Sequence, residues 1–77
     1  MLVIPQSIFS YHQKELISTA KMIIMVKNPA RELWLLKIGF TRFLGNENWE
    51  VWGKESKQDL DFAKNIMKML EEKNDRL

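Results

Sequence analysis

A chain of 77 residues has room for one hydrophobic core and no second domain, so a single domain over residues 1–77 is expected. With no cysteine and one histidine, His12, the chain cannot assemble disulfide staples, thiolate metal sites or a zinc site of histidines, and no cofactor is expected. Net charge is +2, divided unevenly: residues 1–45 carry six Lys or Arg against two Glu, residues 46–77 six against eight acidic residues.

Stability must therefore come from apolar packing, within the chain or between copies. Three Trp, four Phe and five Met in a composition that is 45% hydrophobic supply the material. Met1-Leu2-Val3-Ile4-Pro5 has neither the basic region nor the long apolar run of a signal peptide, and Met22–Val26 is far short of the ~20 residues that cross a bilayer. A cytoplasmic location without membrane contact is expected.

In chain order, Ser7 is placed to cap a short helix with Ile8, Phe9, His12 and Leu16 on one side; alternatively Leu16, Ile17 and Thr19 extend the strand that follows. Lys21–Lys27 reads as that strand. Residues 28–44 have two readings. As a helix, Asn28 is the N-cap, Pro29 the first helical residue and Gly45 the stop, with Leu33, Leu36, Phe40, Phe43 and Leu44 on one face. As a β-hairpin, Asn28-Pro29-Ala30-Arg31 is a type I turn between Lys21–Lys27 and Glu32–Phe43.

The hairpin is preferred. Leu36, Ile38 and Phe40 alternate with Lys37, Gly39 and Thr41, and a glycine inside a helix costs about 1 kcal/mol. That register sets Lys27 opposite Glu32 and Met25 opposite Trp34. Gly45-Asn46-Glu47-Asn48 reads as a turn and Trp49–Trp52 as a further short strand.

The strongest pattern comes last: an amphipathic helix from about Lys57 to about Lys73. Ser56 is its N-cap and Asp59 completes a capping box; Asp59 and Asp61 favour the positive end of the dipole. Leu60, Ala63, Ile66, Met67 and Leu70 share one face, widened by Phe62 and Met69, while Glu72 and Arg76 form an i,i+4 pair. The expected fold is α+β: a small antiparallel sheet of two or three strands packed by the C-terminal helix and an N-terminal one. An all-α three-helix domain is the alternative.

Residues 37–42, Lys-Ile-Gly-Phe-Thr-Arg, resemble the second half-signature of GIY-YIG-type nuclease domains. The tyrosine of the first half-signature is missing from Met22–Val26, and there is no room between Phe43 and Trp49 for the helix that carries the arginine of that family. Ser7, Ser10, Tyr11 and His12 are neighbours in sequence but lack the oriented base a nucleophile needs. Met22, Met25, Met67 and Met69 suit core filling or adaptable contacts.

The remaining signal is a set of aromatics interleaved with cations: Trp34, Lys37, Arg42, Trp49 and Trp52 are the partner-binding candidates. A strand carrying Trp49 and Trp52 aims them at opposite faces, so one large ring is expected to lie exposed. The function expected is a small non-enzymatic protein-interaction or regulatory module, of the size of phage or mobile-element regulators that bind a host protein. The alternative is a nucleic-acid binder using Lys21, Lys27, Arg31, Lys37 and Arg42 on a basic, aromatic sheet face. Self-association as a twofold dimer is expected through an open edge of Met22–Val26 or Trp49–Trp52.

Overall fold

Asn28 decides the middle of the chain. Its extended backbone (φ −154°, ψ 116°) stops before the helical region, and its side-chain oxygen accepts from the Arg31 amide at 2.9 Å. Pro29 follows as the first helical residue, where its missing N–H costs nothing. In the computed structural model, which describes residues 1–54 and 60–75, the order is β1 (Leu2–Ile4), α1 (Tyr11–Thr19), β2 (Met22–Val26), α2 (Pro29–Lys37), β3 (Thr41–Gly45), β4 (Trp49–Gly53) and α3 (Leu60–Asp75). The class is α+β, as expected, and not all-α.

The hairpin between residues 21–27 and 32–43 does not exist, because residues 29–37 are helical. The helix reading starts correctly but stops at Gly39, six residues before Gly45. Gly39 has φ +101°, which only glycine adopts without strain. Its amide donates to Leu36 O at 3.2 Å and that of Phe40 to Leu35 O at 2.9 Å, the pair of bonds that closes a Schellman motif. Leu35 and Phe40, the apolar partners such a motif brings together, are both buried in the same core. The alternation of Leu36, Ile38 and Phe40 is thus a helix end followed by a turn.

Helix α1 starts at Tyr11 rather than after Ser7, with Ser10 as N-cap accepting from the Gln13 amide at 3.4 Å. Ile17 is its fully buried residue, and Leu16 points to solvent. At its other end the Ser18 hydroxyl donates back to Glu15 O (2.7 Å) and that of Thr19 to Leu16 O (3.1 Å), the local side-chain bonds that serine and threonine make in a last turn. Residues 16–19 do not extend β2.

The sheet is mixed and four-stranded, not antiparallel with two or three strands; its order is β1-β2-β4-β3. β1 is parallel to β2 (Leu2 beside Ile23), β4 is antiparallel to β2 (Ile24 beside Val51), and β3 and β4 form the hairpin. Asn46 fixes the turn between them: its side-chain oxygen accepts from the amides of Asn48 and Trp49, each at 2.8 Å. The two strands expected as open edges, Met22–Val26 and Trp49–Trp52, are therefore the interior pair, and the edges are β1 and β3.

A β-bulge between Arg42 and Leu44 puts Arg42 opposite Trp52 and Leu44 opposite Val51. Arg42 then shares a face with Trp52, while Phe43 and Leu44 both pack on the other. The sheet separates two cores. On one face Ile4, Ile23, Met25 and Trp52 meet Ile17 of α1 and Leu35 of α2, with Phe40 from the turn after α2. On the other Met22, Ile24, Trp49 and Val51 meet Ala63 and Met67 of α3, with Ile66 and Leu70 beside them. The predicted packing face of α3 holds, with Leu60 half-buried; Phe62 and Met69 do not widen it but stand 57% and 64% exposed. The expected cap Ser56, the box residue Asp59 and Arg76 lie outside the described residues. No helix among the described residues is long and apolar enough to cross a membrane.

Candidate functional site

Two buried charges organise the face that carries α1 and α2. Arg31 is fully buried, yet no carboxylate pairs with it among the described residues. Its Nε donates to Gln13 Oε1 (3.1 Å), Nη1 to Val26 O (2.9 Å), and Nη2 to Gln6 O (2.6 Å) and Ile8 O (3.1 Å). Burial lowers its pKa, but a guanidinium stays charged, so main-chain dipoles carry its solvation. Asn28 Nδ2 adds a bond to Ser7 O at 2.6 Å, and together the two residues tie the β1–α1 connection to the start of α2. Arg31, expected among the nucleic-acid contacts, is a structural clamp.

The second buried charge is Glu50 of β4, 2% exposed on the same sheet face as Trp52. Its Oε2 lies 2.7 Å from Arg42 Nε, and its Oε1 accepts from Trp52 Nε1 at 3.4 Å. Glu32 stands in the first turn of α2. A hydrogen bond to Glu50 raises the Glu32 pKa; burial and the Glu50 charge act in the same direction, with Lys27 and Arg42 opposing.

These residues line an open cleft of about 600 Å³ between α2 and the β3–β4 hairpin. Glu50 and Trp52 are its floor, Arg42 its far wall, and Pro29, Leu33 and Leu36 its apolar rim, with Lys27 at one end. Leu33 and Leu36 are 69% and 58% exposed. Gly45 shapes the wall: the Arg42 guanidinium lies so close that a Cβ at Gly45 would be 2.5 Å from its Nη2. The volume falls in the range of ligand pockets, about 300–1,000 Å³.

Of the five partner-binding candidates, Arg42 and Trp52 meet in this cleft. Trp52 is 3% exposed and is floor rather than contact surface; Trp49, 7% exposed, is on the opposite face beneath α3. No strand tryptophan is left exposed, because three helices cover what one or two were expected to cover. Trp34 is half-buried beside the first core, its ring between Lys14 Nζ (4.7 Å from the centroid) and Lys37 Nζ (5.9 Å). Its Nε1 is buried with no hydrogen-bond partner among the described residues. Lys14 also faces Phe9 and Tyr11, so this cluster holds its own cation.

Sequence reasoning missed Glu32 and Glu50. Glu50 was visible in one respect: an acidic residue between strand positions that are otherwise Trp and Val. No group of three or more His, Cys, Asp or Glu able to hold a metal occurs among the described residues. Residues 37–42, which resemble the nuclease half-signature, straddle the end of α2 and the start of β3. Comparisons with protein-family models, with curated proteins and with solved structures find no match.

Proposed function

We propose that this protein is a small non-enzymatic binding module that acts by docking a partner protein in the α2–β3 cleft. One observation carries the reading: Leu33 and Leu36, largely exposed on one helix, flank a cleft in which buried Glu50 is paired with half-exposed Arg42. Exposed leucines grouped beside a concavity with a fixed charge pair resemble the centre of a protein interface more than ordinary surface. A regulator that binds one host protein fits this arrangement.

The nucleic-acid reading has less behind it. Trp49 and Trp52 are not available for base stacking, Arg31 is enclosed, and Arg42 is bound to Glu50. Site-specific photo-cross-linking tests the proposal. A benzophenone side chain at position 36 should yield one saturable protein adduct in cells of the source organism, and the same group at exposed Glu47 should not. An equal pattern of adducts from both positions argues against the cleft as the docking site. A steep fall of DNA or RNA affinity with salt, with no protein adduct, would favour nucleic acid.

A further inference from the structure

We infer that the cleft recognises a carboxylate carried on an apolar side chain's own residue: the free C-terminus of a partner polypeptide ending in a branched aliphatic residue. The inference rests on the reading of the cleft as the docking site and names what enters it.

The first argument is which polar groups a visitor meets. The Glu50 carboxylate is almost fully enclosed and its oxygens already accept from Arg42 Nε and Trp52 Nε1. Arg42 is its accessible counterpart, with 47% of its side chain exposed. Only its Nε edge is engaged among the described residues, which leaves both terminal nitrogens as donors. Lys27 is exposed at the end of the cleft and has no ion pair among the described residues. Glu32 lines the same cleft but is drawn to Glu50, so the groups that offer a visitor free donors are the terminal nitrogens of Arg42 and the Lys27 ammonium, and these complement an anion.

The second argument is pre-organisation. A flexible surface arginine gives up rotamer freedom when it binds an anion. Here Glu50 fixes the guanidinium from one side and the bare backbone of Gly45 supports it from below, so its fork is set in place in advance. A planar fork with two free N–H groups matches a carboxylate.

The third argument selects the source. Arg42 and the apolar rim of Pro29, Leu33 and Leu36 line one cleft. A C-terminal residue carries its carboxylate and its apolar side chain on a single Cα, and so can address both together. In an extended internal segment an acidic residue and its apolar neighbour point to opposite sides.

The test is a titration of the ¹⁵N-labelled full chain with N-acetyl-Ala-Ala-Val-Leu bearing a free carboxylate, and with the same peptide as its C-terminal amide. The free acid should shift the amides of Lys27, Leu33, Leu36, Arg42 and Glu50 saturably, and the amide form should bind at least about tenfold more weakly. Arg42→Gln should abolish the difference, but it strips a buried carboxylate of its partner and can unfold the domain. Gly45→Ala is the second variant. Its Cβ would press hardest on Arg42 Nη2 and less on Cζ and Nε, so it should erase the preference for the acid while lowering the melting temperature less than Arg42→Gln does. Free 4-methylpentanoate, binding in the cleft as tightly as the peptide, would replace the polypeptide source by a small acid and overturn that part of the inference. Equal affinity of acid and amide in the cleft overturns the carboxylate claim and leaves the docking site standing. Absence of cleft shifts with either peptide overturns the inference as a whole, while the docking site itself is decided by the cross-linking at position 36.

Discussion

Replacing Arg31 with methionine keeps much of its volume and removes all four of its hydrogen bonds. The acceptors left behind are not equivalent. Gln6 and Ile8 are exposed, so their carbonyls can return to water, whereas Val26 O sits half-buried under the start of α2. One buried acceptor left unpaired costs ~1–3 kcal/mol, and lost bonds from a charged donor cost somewhat more than neutral ones. Relief of the buried charge offsets part of this. The expected net loss is about 2–4 kcal/mol, a large share of the roughly 4–12 kcal/mol available to a domain of this length. Arg31→Lys should fare no better, since an ammonium keeps the charge without the geometry that reaches Gln13, Val26, Gln6 and Ile8 together. Urea denaturation measures the loss, and hydrogen exchange at residues 6–10 shows whether the β1–α1 connection is released. A methionine variant within 1 kcal/mol of the parent and with unchanged exchange would show that Arg31 is not the clamp described.

Three other outcomes follow from the packing and the charges. Met67→Ala should cost about 2–5 kcal/mol because the side chain is buried between α3 and the sheet, while Met69→Ala, on the exposed side of the same helix, should leave the stability within about 0.5 kcal/mol of the parent. Gly53→Ala should destabilise by about 1–3 kcal/mol, since a Cβ there would lie 2.5 Å from the Phe43 ring; an unchanged melting temperature would contradict that contact. Glu32 has a pKa raised above its ordinary 4.5, chiefly by the hydrogen bond to Glu50, so the folded state binds more protons than the unfolded one between the two values. That contribution is complete below pH 4.5 and is lost as pH rises through the folded value. Glu32→Gln should therefore gain stability relative to the parent on going from acid to neutral pH; a gap independent of pH would refute the coupling.

Local signals made some elements legible and misled about one. The repeat of Leu60, Ala63, Ile66, Met67 and Leu70 marked α3 because a single helical period runs through it. Met22–Val26 and Trp49–Trp52 were recognisable from β-branched and aromatic content next to turn residues. Residues 28–40 were misread because Gly39 was charged against the helix as an interior glycine when it is the helix stop. The Leu35 and Phe40 pair, placed to bracket a Schellman turn, was the signal that would have corrected this. β1 was missed because its three residues gain their pairing only from β2, a partner distant in sequence. The site was the least legible part. Arg42 and Trp52 were named, but Glu50 joins them only through the register of β4 with β2 and β3 and the bulge in β3, and Glu32 only through the packing of α2, none of which can be read from neighbours in the chain.

The placement of β2 and β4 at the centre of the sheet bears on how the chain reaches it. Helix α2 with its two caps and the β3–β4 hairpin with its Asn46 turn are built from local contacts and can form early. Pairing β2 with β4 then closes the long loop between Val26 and Trp49 and creates the surfaces of both cores at once. β1 contributes three residues to one neighbour and adds little to that closure. A nucleus centred on the β2–β4 pair follows, with β1 the last strand to be fixed. Val51→Ala should accordingly slow folding, with a φ value above about 0.5, whereas Ile4→Ala should leave the folding rate nearly unchanged and speed unfolding instead.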